Sequence, residues 1–224
     1  MSKLDRLKAH FWRWGWWRTL YFIVMRVAAR YLGIEVFVVR VRATAEASPE
    51  NPCTLPGVTF REATIDELLD FVASPEVLLD HKFVNAAIGR GDLAFGAFRD
   101  GSMLAYLWRS TSTAPHNRDC WIKVTPPYSY SYNSFTTPEF RGQRIVPGLL
   151  LFSDNEMMKK GYTHRAGIVA TSNFASLAMG KHLGSKIIGR VGYIKWFNRI
   201  RFFRSRSVAE VGFKLLPSPG KRER

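Results

Sequence analysis

Residues 136–145 read Thr136-Thr137-Pro138-Glu139-Phe140-Arg141-Gly142-Gln143-Arg144-Ile145, and more of the architecture follows from this run than from any other. An aromatic, β-prone stretch, Tyr128 to Phe135, leads into it, and a helix-forming stretch, Val146 to Lys160, leaves it. A basic, glycine-containing turn therefore sits where a strand ends and a helix begins. Backbone N–H groups, the positive end of the helix dipole and guanidinium groups then point at one spot, which suits a pyrophosphate. Pro147 is compatible with the first helical turn, where an N–H has no intrahelical partner.

The chain has 224 residues, enough for one domain with a terminal extension, and 46% of them are apolar, enough for a sizeable core. Thirty-three Lys and Arg stand against 18 Asp and Glu, a formal charge of +15 that concerns partners and not the fold. Nucleic acid, an anionic membrane surface and a polyanionic cofactor all fit it. Seven Trp beside that charge favour a membrane interface, although stacking on single strands uses the same residues. The two cysteines, Cys53 and Cys120, form no paired motif. The histidines His10, His81, His116, His164 and His182 are scattered, so no disulfide framework, zinc site or other metal site is expected. A reducing, cytoplasmic setting is the default.

In the amino-terminal segment, Lys3, Arg6, His10 and Arg13 recur on one helical face and Leu4, Leu7, Phe11 and Trp14 on another, with Trp12, Trp16 and Trp17 at the boundary. Gly15 interrupts, so two helical pieces are expected. No cleavage site of the signal-peptide kind follows, and the uninterrupted apolar run Leu20 to Met25 falls short of the roughly 20 residues of a membrane span. A basic amphipathic helix of this kind lies in the headgroup plane or packs on the domain. Glu35 to Arg42 reads as a strand, and Ala43 to Gly57 as a linker. The expected division is a basic, Trp-rich extension at 1–56, a main domain at 57–216 and a basic tail at 217–224.

Within the main domain, Val58 to Ala63 reads as a strand, and Thr64 with Glu67 forms a capping box for the helix after it. Pro75 is expected to open a second helix running to about Ala87. Leu93 to Arg99 and Met103 to Ser110 form a hairpin about Asp100-Gly101. Cys120 to Val124 and Tyr128 to Thr136 are further strands. Then come the Val146 to Lys160 helix, a strand at His164 to Thr171, a helix at Asn173 to His182, a strand at Lys186 to Phe197 and a last strand at Val208 to Leu215. The order predicts an α/β fold with a mixed, mostly antiparallel sheet flanked by helices.

Pro138-Glu139-Phe140-Arg141-Gly142-x-x-Ile145 resembles the coenzyme A loop of the GNAT superfamily of N-acyltransferases, and the element order over roughly 58–215 resembles the fold of that superfamily. Arg144 and Val146 stand where the family places small residues. A second stretch, Asn173-Phe174-Ala175-Ser176 through Leu183-Gly184, resembles the family's helix after the fifth strand. Gly180 occupies the position that often carries a proton-donating Tyr. The resemblance implies that acetyl-CoA or a longer acyl-CoA is the co-substrate, held by Phe135, Thr136, Arg141, Gly142, Gln143, Arg144, Ile145, Val146 and Asn173. It also implies an amine acceptor. The thioester is already activated, so the protein must hold the carbonyl, take a proton from the amine and deal with the departing sulfur.

Candidate catalytic residues are Glu139, Tyr130, Tyr132 and His182, with Tyr128, His116 and Asp119 nearby. Tyr128, Tyr130 and Tyr132 alternate with serines and so share one face of a strand, either as a packed ladder or as the wall of the acceptor cleft. Open space at Gly180 would admit a longer acyl chain. No acyl-enzyme nucleophile is expected, and Cys120 reads as a buried apolar residue. Lys195 to Arg206 carries five basic and four aromatic residues in twelve, a solvated hairpin tip or a second membrane-facing patch. The expectation is an acyl-CoA-dependent N-acyltransferase, cytoplasmic and peripheral to the inner membrane, acting on an aminolipid, long-chain base or lipid-linked amino sugar. The alternative is a catalytically inactive module that binds anionic membrane or RNA, with nucleic acid the weaker partner.

Overall fold

The computed structural model describes residues 3–44, 51–74, 77, 79–197, 199–219 and 222–223. Helices α1 (Lys3–Trp14) and α2 (Trp16–Val27) meet at Gly15, whose φ of 80° supplies the break the sequence predicts. Residues Ala28–Leu32 continue α2 as a π-helical turn ended by Gly33. The two helices clasp each other: His10 Nδ1 lies 3.0 Å from Thr19 Oγ1, and the His10 ring stacks on Phe22 at 4.5 Å.

Strand β1 (Ile34–Ala43) is where structure and expectation part. Sequence places it in the extension, before a boundary near residue 56. It is instead an inner strand of the main sheet, antiparallel to a neighbour on each side. The run Val36 to Val39 is apolar on both faces because both are covered, which is the signature of an inner strand. Residues 34–43 thus belong to the sheet. Residues 51–57 are also more than a connection: Thr54 N donates to Gln143 O at 3.0 Å, bracing the basic turn.

The chain continues as β2 (Thr59–Glu62), α3 (Ile65–Val72), α4 (His81–Gly89), β3 (Leu93–Arg99) and β4 (Ser102–Ser110). The Thr64–Glu67 capping box on α3 is present as expected. Helix α4 starts later than expected. Asp80, not Pro75, marks its beginning by accepting from Phe83 N at 2.7 Å, and Pro75 lies outside the described residues. Next come β5 (Thr113–Pro115), β6 (Cys120–Lys123), β7 (Tyr128–Thr136), a short 3-10 turn (Pro138–Phe140) and α5 (Ile145–Lys159). The rest is β8 (His164–Ala170), α6 (Phe174–His182), β9 (Lys186–Trp196), β10 (Arg199–Arg204), α7 (Arg206–Glu210), β11 (Lys214–Pro217) and β12 (Arg222–Glu223). The strand expected over Val208 to Leu215 is therefore a helical turn followed by a later strand.

Among the described residues, nine strands form one sheet in the order β12-β10-β9-β1-β8-β7-β4-β3-β2, and β11-β6-β5 form a small second sheet. The α/β class and the mostly antiparallel pairing agree with the sequence. Helix α5 packs on one face through Ile145, Leu149 and Met157 against Phe95 and Leu107. On the opposite face α3, α4 and the small sheet cover a core containing Trp108, Tyr130, Ile122 and Phe213.

Candidate active site

Strands β7 and β8 run parallel and pair only over Tyr128–Tyr130 and His164–Ala166. Beyond Tyr130 they part: β7 keeps β4 as its partner, and β8 keeps β1. A bulge helps open the gap. Tyr106 pairs with Phe135 and Trp108 with Tyr132, so Asn133 and Ser134 share one partner, and Asn133 takes φ 44°. The parted strands leave a cavity of about 560 Å³. Ser131 to Ser134, Gly167 to Val169, Val146, Leu150, Met179 and Leu183 line it.

The basic turn leads into α5, whose Val146 and Leu150 line this opening. Gly142 has φ 87°, and Arg144, at the start of α5, has φ 54°; neither conformation suits an ordinary side chain, and Arg144 carries it as a left-handed cap. Among the described residues no side chain caps α5, which leaves its first N–H groups without a side-chain partner. Thr54 Oγ1 donates to the Gln143 side-chain oxygen at 3.1 Å. Arg141 folds back over the end of β7, with Nε donating to Thr136 O at 3.2 Å and the guanidinium over the Phe135 ring. Val146 reaches the cavity; Phe135 does not, because it stacks on Tyr106. Asn173 is exposed and caps α6 by accepting from Ser176 N at 3.1 Å.

The catalytic candidates separate. Tyr130 and Tyr132 line the cavity, stacked at 5.5 Å with their ring planes nearly parallel, so the alternation puts them on one face as expected. Tyr130 Oη and His116 Nδ1 share a hydrogen bond of 2.9 Å, and His116 also lines the cavity. Burial lowers the His116 pKa to about 4 and raises that of Tyr130 well above the usual phenol. At neutral pH the pair is therefore a neutral imidazole beside a protonated phenol. Tyr132 donates to Asp92 Oδ2 at 2.7 Å and accepts from Arg90 at 3.2 Å, and burial with the Asp92 charge keeps it protonated.

Glu139 sits exposed on the 3-10 turn, outside the cavity lining. His182 lines a different, smaller cavity with Arg13, Trp14, Arg144 and Pro147, which adjoins the first and shares Met179 and Leu183 with it. Asp119 pairs with Lys195 at 3.2 Å, away from the cavity. Cys120 is fully buried, its thiol pushed up to about 12 by burial and by Glu35.

One expectation is overturned at Gly180. The space beside it is not open. A Cβ there would lie 2.5 Å from the guanidinium carbon of Arg40, which fills the position from β1.

Sequence reasoning missed an arginine cluster. Asp154, in the middle of α5, is buried and accepts from Arg42, Arg109 and Arg165, each at 2.8 Å. Three strands are thereby tied to one helix, and the floor of the cavity is strongly basic. The signal was present: Arg40 and Arg42 interrupt an apolar strand at period two, and Asp154 interrupts an apolar helix.

The parting of adjacent parallel strands beneath a basic strand-to-helix turn decides the fold. This is the GNAT N-acyltransferase fold. Its similarity to solved structures is one of shape. A GCN5-related N-acetyltransferase from Sphaerobacter thermophilus superposes with a TM-score of 0.51 at 14% identity, over 75% of this chain and 53% of that one. An acetyltransferase of the GNAT family from Colwellia psychrerythraea gives 0.50 at 16% identity, over 70% and 55%. A tandem GNAT protein of the clavulanic acid biosynthesis pathway gives 0.50 at 16% identity, over 83% and 58%. The chain thus spans little more than half the length of these GNAT structures. No protein-family model matches the sequence, and no curated protein matches it.

Proposed function

We propose that this chain transfers an acyl group from acyl-CoA to an amine. The observation that carries the reading is the cavity between the parted β7 and β8, lined by Val146 and Leu150 of α5 just beyond the basic turn of Arg141 to Ile145. A diphosphate fits that turn through the α5 N–H groups and the guanidinium groups of Arg141 and Arg144. The pantetheine arm then follows the unpaired edge of β7, where main-chain groups of Ser131 to Ser134 can hold amides and polarise the thioester carbonyl. The amine approaches from the opposite face, where the His116–Tyr130 pair can relay its proton to water. Val146, Leu150, Ile168, Met179 and Leu183 make part of the lining apolar, which favours donors longer than acetyl.

The acceptor reading draws on the surface. Trp12, Trp16, Trp17, Trp196 and Phe197 are each more than half exposed, the last at 87%. Large exposed aromatics among Arg and Lys fit an anionic membrane surface, which would bring an aminolipid, long-chain base or lipid-linked amino sugar to the cavity. Among the described residues no helix is long and apolar enough to cross a membrane. Mass spectrometry of the purified protein with acetyl-CoA, palmitoyl-CoA and membrane extract tests the reading. An acylated amine is the expected product; no CoA binding and no turnover with either donor would overturn it.

A further inference from the structure

Arg40 lines the cavity with Arg165 but is not among the arginines that Asp154 takes. Its side chain is 6% exposed. Nη1 donates to Leu177 O and Nη2 to Ser185 O at 2.9 Å, so both arms are tied to main-chain carbonyls of α6 and the turn after it. Nε is buried and has no partner. Among the described residues no carboxylate lies within ion-pair distance of Arg40. The cavity shows the same imbalance: Arg40 and Arg165 line it, and among the described residues no Asp or Glu does. A buried cation without a counter-ion is costly to keep and acts strongly on any anion brought near it.

The charge also has a definite place. Arg40 lies on the face of the sheet that carries α5, α6 and the basic turn, and Tyr130 and His116 lie on the other. An anion beside Arg40 therefore belongs to the ligand held by that turn. We propose that Arg40 is the anion site of the cavity and that the anion it holds is the thiolate released by acyl transfer. This rests on the acyl-CoA reading above. The amine nitrogen attacks the thioester carbonyl carbon and forms the C–N bond. The C–S bond breaks and its electron pair leaves on sulfur. The nitrogen's proton passes to water on the His116–Tyr130 side. Sulfur departs as an anion beside the Arg40 guanidinium and takes its proton from water after release. No side chain at Gly180 is then required to donate one.

The groups facing this point are few. Arg165 lines the cavity beside Arg40, with Asp154, Arg42 and Arg109 behind it. His116, Tyr130 and Tyr132 face it from across the sheet. Lys181 and His182 of α6 are exposed and outside the lining.

The test is the ultraviolet absorbance of the CoA thiolate, titrated with the wild-type protein and with Arg40→Gln and Arg40→Lys. Bound CoA should ionise about 1–2 pH units lower than free CoA in the wild type. Arg40→Lys should keep most of that shift, and Arg40→Gln should lose it while calorimetry still records CoA binding. If Arg40→Gln does not fold, Gly180→Ala, which crowds the guanidinium without removing its charge, should shrink the shift. An unshifted thiol on wild-type protein that binds CoA overturns the Arg40 proposal alone. Failure of the wild type to bind CoA overturns the donor reading and this proposal together. A shift that survives Arg40→Gln, with KM raised only for carboxylate-bearing amines, assigns the anion to the acceptor and overturns the thiolate assignment.

Discussion

Replacing Asp154 by Asn changes almost no volume and removes one buried negative charge. In the native protein Oδ2 accepts from both Arg42 and Arg165, and Oδ1 accepts from Arg109, all at 2.8 Å. The Asn oxygen can replace Oδ2, but its NH₂ then faces the Arg109 donor. Arg109 is wholly buried, with Ser153 and Ser129 as its other partners. Three guanidinium groups would be left around a neutral amide with no water to screen them. Breaking a buried ion pair from one side costs about 3–5 kcal/mol. With a urea m-value of about 2 kcal/mol/M, a loss of about 4 kcal/mol moves the unfolding midpoint down by about 2 M. Adding Arg109→Gln should recover about 1–2 kcal/mol by removing the worst donor–donor contact, a coupling that a double-mutant cycle reads directly. A midpoint lowered by less than about 0.5 M, with m unchanged, would refute the view that Asp154 neutralises the cluster.

His116 should make stability fall on mild acidification. Burial puts its native pKa near 4 against 6.5 when unfolded, so between those values only the unfolded chain takes the proton. Stability is therefore full above pH 6.5 and declines towards pH 4, and His116→Gln should flatten that part of the melting-temperature profile. Gly192→Val should destabilise by about 3 kcal/mol, because a Cβ there collides with the Glu35 carbonyl oxygen; calorimetry should show the melting temperature lowered by roughly 6–12 °C. Arg144→Gln should weaken CoA binding about ten- to a hundredfold with little loss of stability, measured by calorimetry at fixed salt, since charged hydrogen bonds to phosphate contribute about 1.5–3 kcal/mol. Replacing Trp12, Trp16 and Trp17 together by Ser should abolish flotation with anionic vesicles while leaving turnover of a water-soluble amine unchanged.

Much of the main domain was legible because its signals are local. The Asp100-Gly101 hairpin, the Thr64–Glu67 box and the basic turn each rest on residues within a few positions of one another. So does the division of the first helices at Gly15. Errors came where a neighbour distant in sequence decided the outcome. The strand at 34–43 reads as an apolar run in either setting, and only its pairing with β8 and β9 puts it inside the sheet. Tyr130 and Tyr132 alternate correctly, but the sequence cannot say that Asp92 holds one and His116 the other. Glu139 and His182 looked suitable by residue type, yet Glu139 is exposed on the 3-10 turn and His182 lines the adjoining cavity, so neither is part of the main lining.

From the chain alone came the α/β order, the strand-to-helix turn with its left-handed positions, and the concentration of positive charge, since each depends on spacing along the backbone. The tertiary structure alone decided the electrostatics inside. Arg40 comes from the amino-terminal strand to fill the space at Gly180, and Asp154 gathers arginines from three strands, because burial brings together charges that sequence separates by more than a hundred residues in places. In water those charges would be screened. Within the closed interface of sheet and helix they set what the cavity can hold.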